Sequence, residues 1–291
     1  MTRHHMLGAL SAAAALMAMP LGAQCVPAMQ RLITDREYDK ARTALQAQIA
    51  RTPSDDAAMH CMGRVLLAQD LSGDAVEWLD KATALNGKSA QHHLWLALAL
   101  RAEGQRKGML GGPALIGRMR TELETALTLD PALVDARYAL LQFYAGAPAM
   151  MGGSMVKARE QAAEMSKVNP MRGHVGYAFV AEQEKDNAAA EKALLAAIAA
   201  APDSDVTYSY AGAFYRRRER WTDVIAMYEK RLKIMPKDAT PASVSNTHYS
   251  LGLAHEKLGH RDKAKSEYQL AIAANPANED AKKALASMKT D

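Results

Sequence analysis

Two stretches of this chain carry the same kinds of residue at the same offsets. Gly212 is followed twelve residues on by Val224, four further by Tyr228 and eight further by Pro236; Gly252 is followed at the same offsets by Ala264, Tyr268 and Pro276. Upstream, a small residue, an alanine, a large apolar residue and a proline keep returning about every 34 residues. Pro53, Pro131, Pro170, Pro202, Pro236 and Pro276 punctuate the chain, and Gly87 takes the same place between the first two. A proline cannot continue the preceding helix but is tolerated at the start of the next. Each unit therefore reads as a helical pair too small to bury its own apolar face. Such units are stable only when stacked, which predicts one elongated array rather than the one or two globular domains that 291 residues would otherwise suggest.

The two clearest units are Tyr208, Ala211, Gly212, Tyr215, Val224, Tyr228, Pro236 and His248, Leu251, Gly252, His255, Ala264, Tyr268, Ala271, Pro276. Both resemble the tetratricopeptide repeat (TPR), whose pattern is W-x2-L-G-x2-Y, then A-x3-F, then P. The resemblance implies an all-α, right-handed α-solenoid of antiparallel helix pairs. Repeats are expected near residues 24–53, 56–87, 90–131, 134–170, 171–202, 205–236 and 245–276, with a capping helix at 279–289. Gly63, Ala97, Ala178, Gly212 and Gly252 should sit where the first helix (A) of a repeat meets the second (B). Leu141 replaces the small residue in repeat four, which predicts a wider spacing of that pair.

Three places break the period. About ten extra residues surround Gly108–Pro113, including Met109 and Leu110, and about five surround Pro148–Ser154, including Met150 and Met151. Both are expected as glycine-rich A–B loops, neighbours on one edge, packing on each other or forming a partner-contacting lip. The third, Ala239–Val244, reads as a polar linker that lets the last repeat tilt.

The N-terminus reads as a secretory signal. Arg3 starts it, Met6–Met19 carries no charge, and Leu21-Gly22-Ala23 supplies the small residues for cleavage after Ala23. The apolar stretch is short against the roughly 20 residues of a spanning helix, with a retained anchor as the alternative. No second apolar span follows. Together with the alanine-rich composition, this points to a bacterial periplasm. Cys25 and Cys61 both survive cleavage, and an oxidising compartment permits a disulfide between them. In the repeat frame they fall on the first helices of repeats one and two, which are neighbours; two buried free thiols are the alternative.

The net charge of +4 comes without a long basic stripe, so nothing favours nucleic acid. No catalytic constellation, metal set or cofactor motif stands out. His255-Glu256 and His260 are spaced one residue too far apart for a zinc-protease helix, and the glycine runs lack the Lys-Ser/Thr of a phosphate loop. The Arg216–Arg220 run reads either as a solvated helix end or as ligand contact.

In TPR proteins, peptides lie in the groove lined by the A helices. Carried over, the groove positions implicate His60, Arg64, Leu94, Leu98, Arg101, Tyr138, Gln142, Phe179, Arg216, Arg217 and Tyr249. The lysines and asparagines of the family's chaperone-tail clamp are missing. The expectation is a non-enzymatic periplasmic scaffold for a peptide or protein surface. The alternative is a structural subunit of an envelope or polysaccharide-export assembly.

Overall fold

Seven helices in this chain start where the sequence supplies a side-chain cap. The side chains of Asp55, Ser89, Ser154, Asn169, Asp186, Thr240 and Asn278 each accept a hydrogen bond from a backbone N–H three residues on. The computed structural model describes residues 25–34, 36–108 and 112–288, and the signal segment lies outside them. The described residues contain fifteen α-helices. Seven pairs run α1 (Pro27–Thr34) with α2 (Tyr38–Arg51), α3 (Asp56–Ala68) with α4 (Ser72–Leu85), α5 (Ala90–Lys107) with α6 (Gly112–Leu129), and α7 (Val134–Gly146) with α8 (Met155–Val168). They continue with α9 (Pro170–Gln183) and α10 (Asn187–Ala200), α11 (Asp205–Arg217) and α12 (Trp221–Ile234), and α13 (Pro241–Lys257) and α14 (Arg261–Ala274). A last helix, α15 (Glu279–Ser287), packs on α14 and buries Ala281.

Each helix packs on the next in the chain, and α1, α3, α5, α7, α9 and α11 also pack on one another in series. The first six A helices thus form one continuous layer with the B helices on the other side, and the seventh pair joins through α12, which gives an α-solenoid. The buried core runs in two stretches that meet on α9, where Val180 joins the first and Ala178 and Ala181 join the second.

Five A–B turns share one device. The C-terminus of the A helix closes with a residue in the left-handed region, Arg36, Asp70, Lys185, Glu219 or Gly259. The next residue's N–H then reaches back to the carbonyl five positions earlier, as in Leu71 to Leu66, Arg220 to Tyr215 and His260 to His255. This is the Schellman closure that satisfies the helix-end carbonyls.

Within a repeat, contact rests on a small residue of the A helix facing a large one of the B helix. A Cβ on Gly212 would lie 2.7 Å from the Tyr228 ring, one on Gly252 would lie 2.6 Å from the Tyr268 ring, and one on Gly63 would collide with Leu79. Repeat four inverts the pairing. Leu141 is the large residue and Ala162 the small one, and both lie against the next A helix, at 2.9 and 3.2 Å from where a Cβ on Gly176 would stand. Large and small thus exchange helices between the two partners of this repeat.

The inserted segments also depart from expectation. The ten extra residues of repeat three are largely helical: α5 and α6 are both 18 residues long, and Gly108 at φ 59° ends the first. Met109 and Leu110 lie outside the described residues. In repeat four, Pro148–Gly153 makes a tight turn with a 3-10 step at Ala149–Met151, leaving Met150 94% exposed. Gly152, at φ 93°, stands beside Phe143 and Arg120, so this turn rests against α6 and α7.

The expected joint before repeat seven is partly helical. Residues 241–244 form the first turn of α13, and the buried Arg231 of α12 ties three helices together. It donates to Asp205 at 3.1 Å, Ser243 at 2.7 Å and Thr247 at 2.6 Å.

Cys25 and Cys61 stand at disulfide distance, with Cα atoms 5.3 Å apart. Cys25 precedes α1 instead of lying on it. Two outcomes follow. Gly252→Ala should destabilise the chain by about 1–3 kcal/mol in denaturant unfolding, with part of the loss recovered in a Tyr268→Leu background. Cys25→Ser should cost about 4 kcal/mol, as a 36-residue loop is released, and the unreduced, unfolded wild type should show no reactive thiol.

Candidate functional site: an arginine- and aromatic-lined groove on the A helices

The A-helix layer carries a cleft of about 840 Å3 lined by residues of α1, α3, α5 and α7. Arg64, Leu94, Leu98, Arg101, Tyr138 and Gln142 line it as expected. Gln30, Gln91, Trp95 and Asp135 line it as well and escaped the family frame. On α5, Trp95 and Leu98 are half-buried while Leu94 is buried, so the helix turns Gln91, Trp95, Leu98 and Arg101 outward at steps of three and four. That periodicity was the available signal.

Side chains in the cleft are held from behind. The Arg64 guanidinium lies 4.3 Å from the Trp95 ring centre and donates to Gln30 of α1. Arg101 donates to Gln142 at 2.9 Å, bridging α5 to α7. Tyr138 contacts the Phe179 ring edge-on at 6.2 Å between centres, with Arg172 5.1 Å over its own ring. Burial raises the Tyr138 hydroxyl above its ordinary pKa, so it stays a neutral donor and acceptor.

A second cavity of about 320 Å3 continues from Tyr138 past Phe179, Glu182, Tyr210 and Arg217. Here the arginine run is spent internally. Arg217 pairs with Glu182 at 2.7 Å, Arg218 with Glu182 at 3.3 Å, and Arg220 with Glu191 at 2.7 Å. Arg216 is the member of the run without an ion pair among the described residues. The Tyr249 ring packs tilted on Tyr268 with centres 5.9 Å apart, and burial raises its hydroxyl above the ordinary tyrosine pKa. Neither Arg216 nor Tyr249 lines the two cavities.

His60 is not a groove residue. It is fully buried and ends a hydrogen-bonded column. His92 Nε2 lies 2.9 Å from Asp56 Oδ2, and His92 Nδ1 lies 3.1 Å from His60 Nδ1. A carboxylate only accepts, so His92 Nε2 carries a proton; His92 Nδ1 then accepts from His60 Nδ1–H. That leaves His60 Nε2 as a buried acceptor with no partner among the described residues. The His60 ring meets Trp95 edge-on at 6.2 Å, so the column stands directly behind the Trp95–Arg64 wall.

Burial first, then His92 and Arg64, push the His60 imidazole down to about 3, and burial pushes His92 down as well. Burial alone would raise Asp56, but hydrogen bonds from His92 and Asn86 outweigh it and hold the carboxyl below its ordinary value. The unfolded chain takes up a proton on His60 near pH 6.5 and the folded protein only near 3. Stability is therefore complete above about pH 6.5 and lost as the pH falls through that window, and the Asp56 shift acts in the same direction. Urea unfolding midpoints should fall steadily below pH 6.5, and His60→Leu should flatten that slope while lowering stability at neutral pH.

Among the described residues, no group of three or more histidine, cysteine, aspartate or glutamate side chains is placed to hold a metal ion. His255 and His260 only face each other, with Nδ1 atoms 3.3 Å apart.

Comparison with known proteins agrees with this architecture. A tetratricopeptide-repeat profile matches residues 245–278. A TPR protein from Parabacteroides merdae superposes with a TM-score of 0.56 at 15% identity, covering 91% of this chain and 96% of that one. Yeast Tom70 gives a TM-score of 0.66 at 15% identity over 88% of this chain, and Cut9 of the Cut9–Hcn1 assembly gives 0.51 at 15% over 89%. The chain spans about half the length of these last two, 52% and 48% respectively. No curated protein matches. A profile described as the TRAP transporter T-component matches residues 66–222, which is more than half of the chain and includes most of the main cleft. The chain belongs to the TRAP transporter T-component family, built as a tetratricopeptide-repeat solenoid.

Proposed function

We propose that this protein is an exported, periplasmic scaffold that holds a segment or surface of another transporter component in its A-helix groove, without catalysing a reaction. The main cleft carries this reading: one open face brings Trp95, Tyr138 and two arginines from three successive A helices together. Aromatic and arginine side chains at the centre of a surface are the residues that most often anchor a protein partner. The family description supplies the transporter, and the cysteine pair at disulfide distance fits an oxidising compartment. No helix of the described residues is long and apolar enough to cross a membrane. Of the groove residues expected from the sequence, Arg64, Leu94, Arg101, Tyr138 and Gln142 act together in this reading, Phe179 and Arg217 extend the track, and Arg216 and Tyr249 lie beyond it. The exposed Met150 and Met151 turn is left as an edge of the adjoining surface.

Affinity purification from envelope extracts tests this reading. Other transporter components should co-purify with the wild type, and a Trp95→Ala, Tyr138→Ala variant of normal thermal stability should recover about tenfold less or lower still. Equal recovery would contradict the groove and favour a chain that only spaces its neighbours in an envelope assembly.

A further inference from the structure

Charge around the groove is balanced almost everywhere except at two points. Arg172 pairs with Asp135 at 2.7 Å, and Arg217, Arg218 and Arg220 pair with glutamates. Arg64 and Arg101 have no carboxylate partner among the described residues; each donates to the neutral side-chain oxygen of a glutamine. Both line the main cleft. A guanidinium does not shed its proton in a protein, so these charges are permanent. Arg64 is held half-buried against Trp95, and burial lowers its pKa from the ordinary value. A partly desolvated cation without a counter-charge is unfavourable by itself and gains from an incoming anion. Among the described residues, Asp135 is the only acidic one lining the cleft, and Arg172 already pairs with it.

Arg101 and Gln142 also stand at the mouth of a separate cavity of about 510 Å3. Its walls include Ile116, Met119, Phe143, Pro148 and Met151, with Gln105 beside them, and among the described residues no charged side chain other than Arg101 lines it. The two repeats that depart from the period supply this cavity: Ile116 and Met119 come from α6, and Pro148 and Met151 come from the extra turn before α8. An occupant spanning both cavities must therefore carry a negative group beside a bulky apolar one.

We propose that the two cavities bind an acidic, apolar-anchored segment of a partner protein. A carboxylate of that segment sits between Arg64 and Arg101 over Trp95, and a neighbouring leucine, phenylalanine or methionine side chain fills the Ile116–Met151 cavity. Planar guanidinium forks match carboxylates in two-point hydrogen bonds, which supplies both charge and direction. The apolar cavity supplies the burial that arginine contacts alone lack. The proposal rests on the groove reading given above and adds the chemistry of what the groove takes.

The experiment pans a random dodecapeptide library on the mature protein, with the Arg64→Gln, Arg101→Gln double variant and an unrelated protein in parallel. Circular dichroism and thermal melting establish that the variant is folded. The wild type should enrich peptides in which Asp or Glu lies within two positions of Leu, Phe or Met. In fluorescence anisotropy those peptides should bind at least about tenfold more weakly to either single arginine variant, and similarly when their acid is replaced by its amide. Enriched peptides without an acidic bias, or equal binding by the variants, would overturn the inference and leave the groove reading standing. No enrichment over the unrelated protein would overturn both. A rise in melting temperature with octanoate or phenylpropionate, absent in the double variant and accompanied by no selected peptide, would assign the site to free organic acids and overturn the segment.

Discussion

Everything in this molecule depends on how closely the two helices of a repeat approach. Gly63, Gly212 and Gly252 have no side chain where Leu79, Tyr228 and Tyr268 press in. A methyl group at any of these three would force the pair apart or the large residue out of place. Because each A helix is fixed this tightly to its B helix, the B helices carry the far side of the core and the A helices are left to pack on one another in series. One face of the A layer is then free. The groove is the surface that remains once the repeats have satisfied their own packing.

That surface is stiff in some places and charged in others, and the two properties have a common source. The Asp56–His92–His60 column fills the space between α3 and α5 with hydrogen bonds and places a buried ring behind Trp95. Trp95 in turn carries the Arg64 guanidinium, which also holds α1 through Gln30. The cysteine pair links the start of α1 to α3 at the same end. This end of the array is thus held by a cysteine pair at disulfide distance, a hydrogen-bonded column and a stacked cation, and it contributes one wall of the main cleft. At the other end, Arg231 does comparable work, joining α11, α12 and α13 with one buried guanidinium.

Much of this was legible in the sequence. The prolines and caps locate the helices, and the small-residue offsets locate the tight contacts. What stayed hidden falls into three physical kinds. The first is exchange between partners: Leu141 looked like an exception until Ala162, its opposite number, was seen to be small. The second is glycine content, which overstated the loop in repeat three. A Gly-Pro pair is tolerated in the first turn of a helix, and α6 begins at Gly112. The third is pairing across repeats. His60 occupies a groove position in the family frame, yet a histidine 32 residues away draws it inward. No local pattern reports such a pair. The arginine run is a similar case, since its glutamate partners sit about one repeat upstream. By contrast, Trp95 could have been found by stepping back from Arg101 and Leu98 at helical spacing.

Site-specific photocrosslinking tests the central claim most directly, because it asks which face of the array touches another protein. A photoreactive residue at Leu98, in the groove, is compared with one at Leu195, exposed on the B-helix face. The account predicts a discrete crosslinked protein from position 98 and none from position 195. Crosslinks from position 195 with none from position 98 would contradict it.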